Sequence, residues 1–440
     1  MDKPNILMII SHDTGRHIGS YGHNVETPEL NDLAENGVQF NNYFCSQPQC
    51  SPSRGSILTG MYGHNHGMLG LAHMGHSMKK DMETIPSEMS KAGYDTWLFG
   101  FFHESIDGEL DGSKLGYEHV VEVPGNAAKK VTDKVETFLK ERASSSDQTP
   151  FYASVGFEET HRPFDDFEPV PLESVEVPDY LPDTPKVRED LAYFYGSVKE
   201  LDKAVGRIKK SLEENGLAEN TLLIYTTDHG IAFPRAKGTL LDAGLETALI
   251  MRLPKGMKNN GRVQDELLCN IDLMPTLLEL AGGKVPDGID GTSFLPLLRE
   301  ESYKERESFF CELTWHDRYH PMRGIRTNKY KYIRNFEDGP KVYLPYDIHE
   351  SLSGQDVREE YYVSNSKEEL YDLEQDPLEQ KNLANNEEYQ EIVSNLRLKV
   401  EQWMRETKDP LLEGPVPGEE ATEWRKEIEA GRVYKGSSSN

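Results

Sequence analysis

Only four cysteines occur in 440 residues, Cys45, Cys50, Cys269 and Cys311, too few for the disulfide framework of a small secreted domain. Their spacing matches neither paired zinc knuckles nor a redox pair, and Cys269 and Cys311 read as small buried hydrophobes. Long apolar runs are missing as well. No stretch approaches the roughly 20 residues that span a bilayer. The first strongly apolar segment, residues 6–10, runs straight into Ser11-His12-Asp13. It reads as a buried strand with no room for a signal peptide ahead of it, which predicts a cytoplasmic protein unless a leader has been removed. Positive charge is scarce too: 48 Lys and Arg stand against 76 Asp and Glu, a net charge of −28. That field disfavours nucleic acid and anionic membrane as partners. Any anionic substrate must therefore be held by a local cluster of cations or a metal.

A chain of this length calls for two or three packed units. Strands and helices alternate from the start, which predicts an α/β sandwich around a mainly parallel sheet. Residues 5–10, 95–100, 151–157 and 221–227 read as strands. Residues 27–36, 50–63 and 84–92 read as helices, with Pro28 and Pro52 suited to first turns. Leu191, Phe194, Val198, Leu201, Val205, Ile208 and Leu212 recur at steps of three and four, the clearest amphipathic helix in the chain, over 190–215. From about residue 306 the character changes to antiparallel strands (308–313, 322–327, 331–336), with a polar turn after residues 368–373 and then a helix at 387–407. The expectation is a catalytic domain over 1–305 and a smaller α+β subdomain over 306–440 that completes the pocket rim. Residues 436–440 read as a disordered tail.

Asp13, His103, His161 and Asp228 each follow closely on an apolar strand, and in open α/β sheets chemistry collects beyond the carboxyl ends of strands. Carboxylates beside imidazoles, as in His12-Asp13 and Asp228-His229, make plausible ligands for a divalent cation, although either aspartate alone could merely cap the next helix. In Cys50-Ser51-Pro52-Ser53-Arg54 the thiol sits at a predicted helix N-terminus, where backbone N–H groups favour a developing anion. Arg54, one turn on, can pair with an oxyanion. Taken alone, a buried structural cysteine is an equally good reading.

The same five residues resemble the Cys-x-Pro-Ser-Arg pattern of the sulfatase family, and the likeness continues through Ser56-Ile57-Leu58-Thr59-Gly60 and residues 369–383. The resemblance implies an alkaline-phosphatase-like α/β/α sandwich and a hydrolase of sulfate esters or sulfamates. It also implies that Cys50 is oxidised to formylglycine by a formylglycine-generating enzyme. The hydrate of that aldehyde offers two hydroxyls on one carbon, one to attack sulfur and one to expel sulfate afterwards. The metal ligands would be His12, Asp13, Cys50, Asp228 and His229. Sulfatases usually carry Asp-Asp and Asp-Asn at these two places, so His12 and His229 are departures. Calcium is the family habit, but two imidazoles suit manganese or zinc better. Catalytic roles fall to Cys50, Arg54, His103, His161 and Lys237, with Lys237 matching the lysine that binds the sulfate group. Phe101 stands where a lysine is usual. His73, Arg162, His316 and Arg323 are expected to contact substrate. Segments 157–162, 180–191 and 403–410 look most like the heparan N-sulfatase branch, which suggests a sulfated sugar as the small-molecule partner and leaves homo-oligomerisation open. Two other readings stay open: a phosphodiester or phosphonate monoester hydrolase of the same superfamily, favoured by His229 and Phe101, and a binder of sulfated ligands that has lost catalysis.

Overall fold

The computed structural model describes residues 3–418; the tail expected at 436–440 lies outside them. Its centre is an eight-stranded sheet in the order His119–Val121, Asp95–Gly100, Phe151–Gly156, Asn5–Ser11, Thr221–Thr227, Leu249–Arg252, Val38–Phe40, Arg262–Gln264. Only Leu249–Arg252 runs against the others, antiparallel to both its neighbours; the remaining pairings are parallel. The expected mainly parallel α/β/α sandwich is the fold observed.

Alternation along each strand builds the two faces. Leu7, Ile9, Leu223 and Tyr225 pack with the helices Ala128–Ser144 and Pro185–Glu214 on one side. Ile6, Met8, Leu222 and Ile224 pack with Cys50–Thr59, Ile85–Lys91 and Leu273–Ala281 on the other. Both central strands are buried on both faces, which is why they read as continuous apolar runs. The long helix begins five residues before the amphipathic stripe, at Pro185, where the Thr184 hydroxyl accepts the Val187 N–H. The helix Ala128–Ser144 escaped the sequence reading although Val131, Val135, Phe138 and Leu139 bury its inner face. Eight Lys, Arg, Glu and Asp residues and three Ser or Thr residues dilute that stripe.

A second, four-stranded antiparallel sheet follows, Ser308–Trp315, Tyr319–Thr327, Tyr330–Asn335 and Glu368–Asp372 in that order. The helix Gln390–Glu406 covers it through Val393, Leu396, Val400 and Trp403. The same core includes Phe44, Cys45, Leu240, Leu245 and Cys269 from the N-terminal part, so the small sheet is packed onto the large unit by apolar contact. Cys45, Cys50, Cys269 and Cys311 are all free and buried, and burial pushes the Cys269 thiol up to about 12. Among the described residues no helix is long and apolar enough to cross a membrane.

His66 braces the helix that carries Cys50. Its ring lies against Gly55, where a Cβ would come within 2.9 Å of it. Nδ1 accepts the Met68 N–H at 3.2 Å, which leaves Nε2 to donate to the Ser56 hydroxyl at 3.2 Å. Burial pushes the imidazole down to about 3, so His66 is neutral in the folded chain and gains a proton on unfolding near its ordinary value of 6.5. The unfolded state then binds more protons, and stability falls as pH drops from about 6.5 toward 3. His66→Asn is expected to lower stability at pH 7 by about 1–3 kcal/mol yet to lose less on acidification to pH 4.5, as urea unfolding at the two pH values would record.

Candidate active site

Four neighbouring strands of the large sheet deliver the site residues at their carboxyl ends. Ser11 leads into His12-Asp13, Thr227 into Asp228-His229, Gly100 into Phe101 and His103, and Gly156 into His161. Asp13 adopts a left-handed backbone, φ 57°, a conformation aspartate tolerates better than most residues. That turn lets the Asp13 N–H donate to Asp228 Oδ1 at 2.9 Å, so the two loops are tied before their side chains meet.

The side chains converge. Ligand atoms from His12, Asp13, Cys50, Asp228 and His229 all lie within 4.8 Å of one another, and all five residues are buried. His229 Nε2 is 3.0 Å from Asp13 Oδ1 and 3.4 Å from Cys50 Sγ. His12 Nε2 is 3.4 Å from Asp13 Oδ1 and 3.5 Å from Asp228 Oδ2. Cys50 Sγ is 3.9 Å from Asp13 Oδ1. This is the chemistry of a divalent-cation site: two buried carboxylates, two imidazoles and a sulfur. Neither ring nitrogen of His12 has a hydrogen-bond partner although the residue is 2% exposed. An orphaned buried imidazole is costly unless a cation uses its lone pair. His229 is oriented for the same task, since its Nδ1 donates to the Gly230 carbonyl at 2.9 Å and Nε2 points at the cluster. The donor set, two carboxylates with two imidazoles and a thiol, fits a divalent cation.

Electrostatics follow from burial. Desolvation pushes His12 well below its ordinary value, keeping it neutral. Burial opposes charge on Asp13, but Lys237 and His229 outweigh it and hold the carboxyl well below the usual range. Burial likewise opposes charge on His229, but Asp228 and Asp13 raise it. The imidazole therefore carries a proton that a bound cation would displace. Burial pushes the Cys50 thiol up, only partly offset by Lys237; the residue is not built to be a free thiolate in the metal-free chain.

Lys237 Nζ reaches Asp13 Oδ2 at 2.7 Å, Asp347 Oδ2 at 2.9 Å and His161 Nε2 at 3.4 Å. His161 Nδ1 donates to the Arg162 carbonyl, which leaves Nε2 as the acceptor from Lys237. His103 Nε2 and His73 Nδ1 share a hydrogen bond of 2.8 Å between parallel rings, and burial pushes both imidazoles down, His73 to about 4. Phe101, where the family resemblance expects a lysine, sits beside the cluster. Its ring lies 4.9 Å from the Arg54 guanidinium and 4.7 Å from the His12 ring. His316 is buried with neither ring nitrogen hydrogen-bonded, and it is close enough to Asp347 and His73 to perturb both.

Three expectations need correcting. Arg54 does not face an open anion position: its Nε donates to Asp228 Oδ2 at 3.0 Å and its Nη2 to the Ser11 carbonyl at 3.2 Å, so it fixes the metal carboxylate. Arg162 is committed to a bidentate pair with Asp190 at 2.7 and 2.8 Å and to the Ala232 carbonyl. Arg323 is fully buried, with Nη2 donating to Asp409 Oδ1 at 3.1 Å and lying 3.3 Å from Glu312, and Nη1 donating to Leu313, Thr314 and Met322. His64 binds the same Glu312 at 2.9 Å, so this network joins the small sheet to the large unit and leaves Arg323 no donor for substrate. His320 stacks on Tyr343 away from the cluster. Asp347, in the short helix Tyr346–His349, was missed. Nothing in its local pattern marks it, because only the fold brings residue 347 to Lys237.

This constellation on this sheet is that of a metal-assisted hydrolase of the alkaline phosphatase type. A family model for sulfatases matches residues 4–283, and one for the C-terminal part of N-sulphoglucosamine sulphohydrolase matches 234–356. The chain belongs to the sulfatase family. An ulvan-active sulfatase of Formosa agariphila is 30% identical over 436 residues, covering 94% of this chain and 82% of the relative. The N-sulphoglucosamine sulphohydrolase of Homo sapiens is 27% identical, covering 93% and 92%. Among solved structures, a 2-O GAG sulfatase superposes with a TM-score of 0.73 at 22% identity, covering 95% of each chain. The phosphonate monoester hydrolase of Agrobacterium radiobacter gives 0.72 at 20%, covering 92% and 96%.

The geometry assigns Arg323 to stability. Arg323→Met is expected to cost about 3–5 kcal/mol, because Asp409 and Glu312 would stay buried without a partner. Thermal unfolding measures that cost. The KM of the folded fraction should stay unchanged, whereas a substrate contact would raise it.

Proposed function

We propose that the chain hydrolyses sulfate esters or sulfamates of a carbohydrate, with residue 50, oxidised to formylglycine, as the nucleophile and one divalent metal of the manganese or zinc type beside it. The single observation that carries this reading is the position of Cys50. Its sulfur lies 3.4 Å from His229 Nε2 and 3.9 Å from Asp13 Oδ1, at the N-terminus of a ten-residue helix where backbone N–H groups stabilise negative charge. A metal held by His12, Asp13, Asp228 and His229 would polarise the anion and lower the pKa of a hydroxyl bound to it. The hydrated aldehyde at residue 50 would supply the paired hydroxyls.

The remaining roles belong to residues of this chain. Arg54 and the Ser53 hydroxyl hold Asp228 by side chain and carbonyl, keeping the carboxylates in register. Lys237, bonded to Asp13, places an ammonium at the edge of the cluster where a sulfuryl oxygen would gain charge. His161, partly exposed and accepting from Lys237 at Nε2, would protonate the leaving oxygen or nitrogen once Nε2 itself carries a proton and the contact with Lys237 is released. His103, kept neutral by burial and joined to His73, would accept a proton from residue 50. The likeness to carbohydrate sulfatases, including a human sulfamate hydrolase by name, supports a sugar substrate.

The phosphonate or phosphodiester reading draws on His229 within the ligand cluster and on Phe101 in place of a cation. One preparation decides between them. The tryptic peptide 17–54 contains Cys45 and Cys50. Fragmentation mass spectrometry, on protein from a host that makes formylglycine, is expected to place the aldehyde on residue 50 alone. The same protein should turn over a sulfate ester faster than a phosphonate ester of the same leaving group. An unmodified residue 50 with a preference for the phosphonate would refute the sulfatase reading.

A further inference from the structure

The outer side of the site carries a carboxylate with a charge to place. Asp347 Oδ1 accepts the Ile348 N–H at 3.0 Å, and Oδ2 takes Lys237 Nζ at 2.9 Å. The same ammonium is 2.7 Å from Asp13 Oδ2, so one cation answers two carboxylates. A third stands behind them, for the buried Asp317 accepts the Tyr346 N–H at the start of the same short helix. Side-chain exposure rises outward along the chain of contacts, from 0% at Asp13 and 1% at Lys237 to 22% at Asp347 and 27% at His161. A sulfuryl group seated at the metal and Lys237 therefore points its sugar toward Asp347 and His161. His316, buried nearby with both ring nitrogens without a hydrogen bond, can serve a hydroxyl or amine of that sugar.

The geometry points to Asp347 as the residue that sets leaving-group specificity, admitting sulfated sugars that are neutral or carry an amine near the scissile bond and rejecting those that carry a carboxylate there. This rests on the sulfatase reading and names the sugar class within it. The reason is local charge. Lys237 is already shared between Asp13 and Asp347, so a uronate carboxylate entering beside Asp347 meets a like charge whose bonded cation is committed to a second carboxylate. An ammonium there gains a partner instead. At a few ångströms, in a partly solvated rim, such a reversal is worth roughly tenfold or more in kcat/KM. Asp347 is a positioning group for Lys237 as well, so its loss should slow every substrate. Only the specificity role changes the ratio between substrates.

The test uses the full metal-loaded enzyme, with glucosamine 3-sulfate and a 4-sulfated hexuronate as probes, each of which carries its amine or carboxylate on the carbon next to the one that bears the sulfate. Wild type is expected to favour the amino sugar by roughly tenfold or more in kcat/KM, Asp347→Asn to shrink that ratio roughly tenfold, and Asp347→Glu to retain most of it. A ratio that stays put in Asp347→Asn while both sugars are turned over would overturn the proposal. If wild type hydrolyses neither sugar, the sulfatase reading is in trouble, and calorimetric affinities of the two sugars for the metal-loaded wild type and Asp347→Asn then judge Asp347. Equal affinities in wild type would sink it, and a preference for the amino sugar that Asp347→Asn abolishes would support it.

Discussion

A buried carboxylate must find cations, and Asp13 has no water to help it. One of its oxygens faces His229, His12 and Cys50 at 3.0, 3.4 and 3.9 Å. The other faces Lys237 at 2.7 Å and His161 at 3.9 Å. In the proposed reading the first set holds the metal and the second meets the substrate, so a single side chain couples the two. Leaving it unpaired would cost several kcal/mol, and the surroundings are arranged so that it never is. Its left-handed backbone, its N–H to Asp228 and the lysine ten residues after Thr227 all serve that one requirement.

The same constraint explains how a chain with a net charge of −28 can hold an anion. At the candidate site a local cation, Lys237, is held beside Asp13. Lys237 and the expected metal face inward, while Arg54, Arg162 and Arg323 are spent on internal carboxylates. Phe101 packs on Arg54 and His12, giving the site an apolar wall beside the cluster. Fewer free cations make the site suited to a monoanion, the charge of a sulfate ester or sulfamate, rather than to a dianion.

Much of this was legible in the sequence because it is local. A strand followed by His12-Asp13 or Asp228-His229, and Cys50 at a helix start, are patterns within a few residues, and the parallel sheet then brings their ends together. What sequence could not give was long-range pairing. Arg162 and Arg323 look like solvent-facing hooks until Asp190, Glu312 and Asp409 arrive from 28 residues away or from the neighbouring strand and the chain's end. Asp347 gains its meaning only from Lys237, 110 positions earlier. The helix Ala128–Ser144 was hidden for a different reason, its charged face outweighing a narrow apolar stripe.

The central claim is that Asp13 assembles one metal site and keeps Lys237 beside it. Metal titration of Asp13→Asn, followed by calorimetry with manganese and with zinc against wild type, tests it most directly. The account predicts one tight equivalent in wild type and a loss of at least about 100-fold in affinity in the variant, with the far-ultraviolet circular dichroism unchanged. A variant that binds one equivalent as tightly as wild type would show that the carboxylate is not the keystone, and the ligand assignment would fall with it.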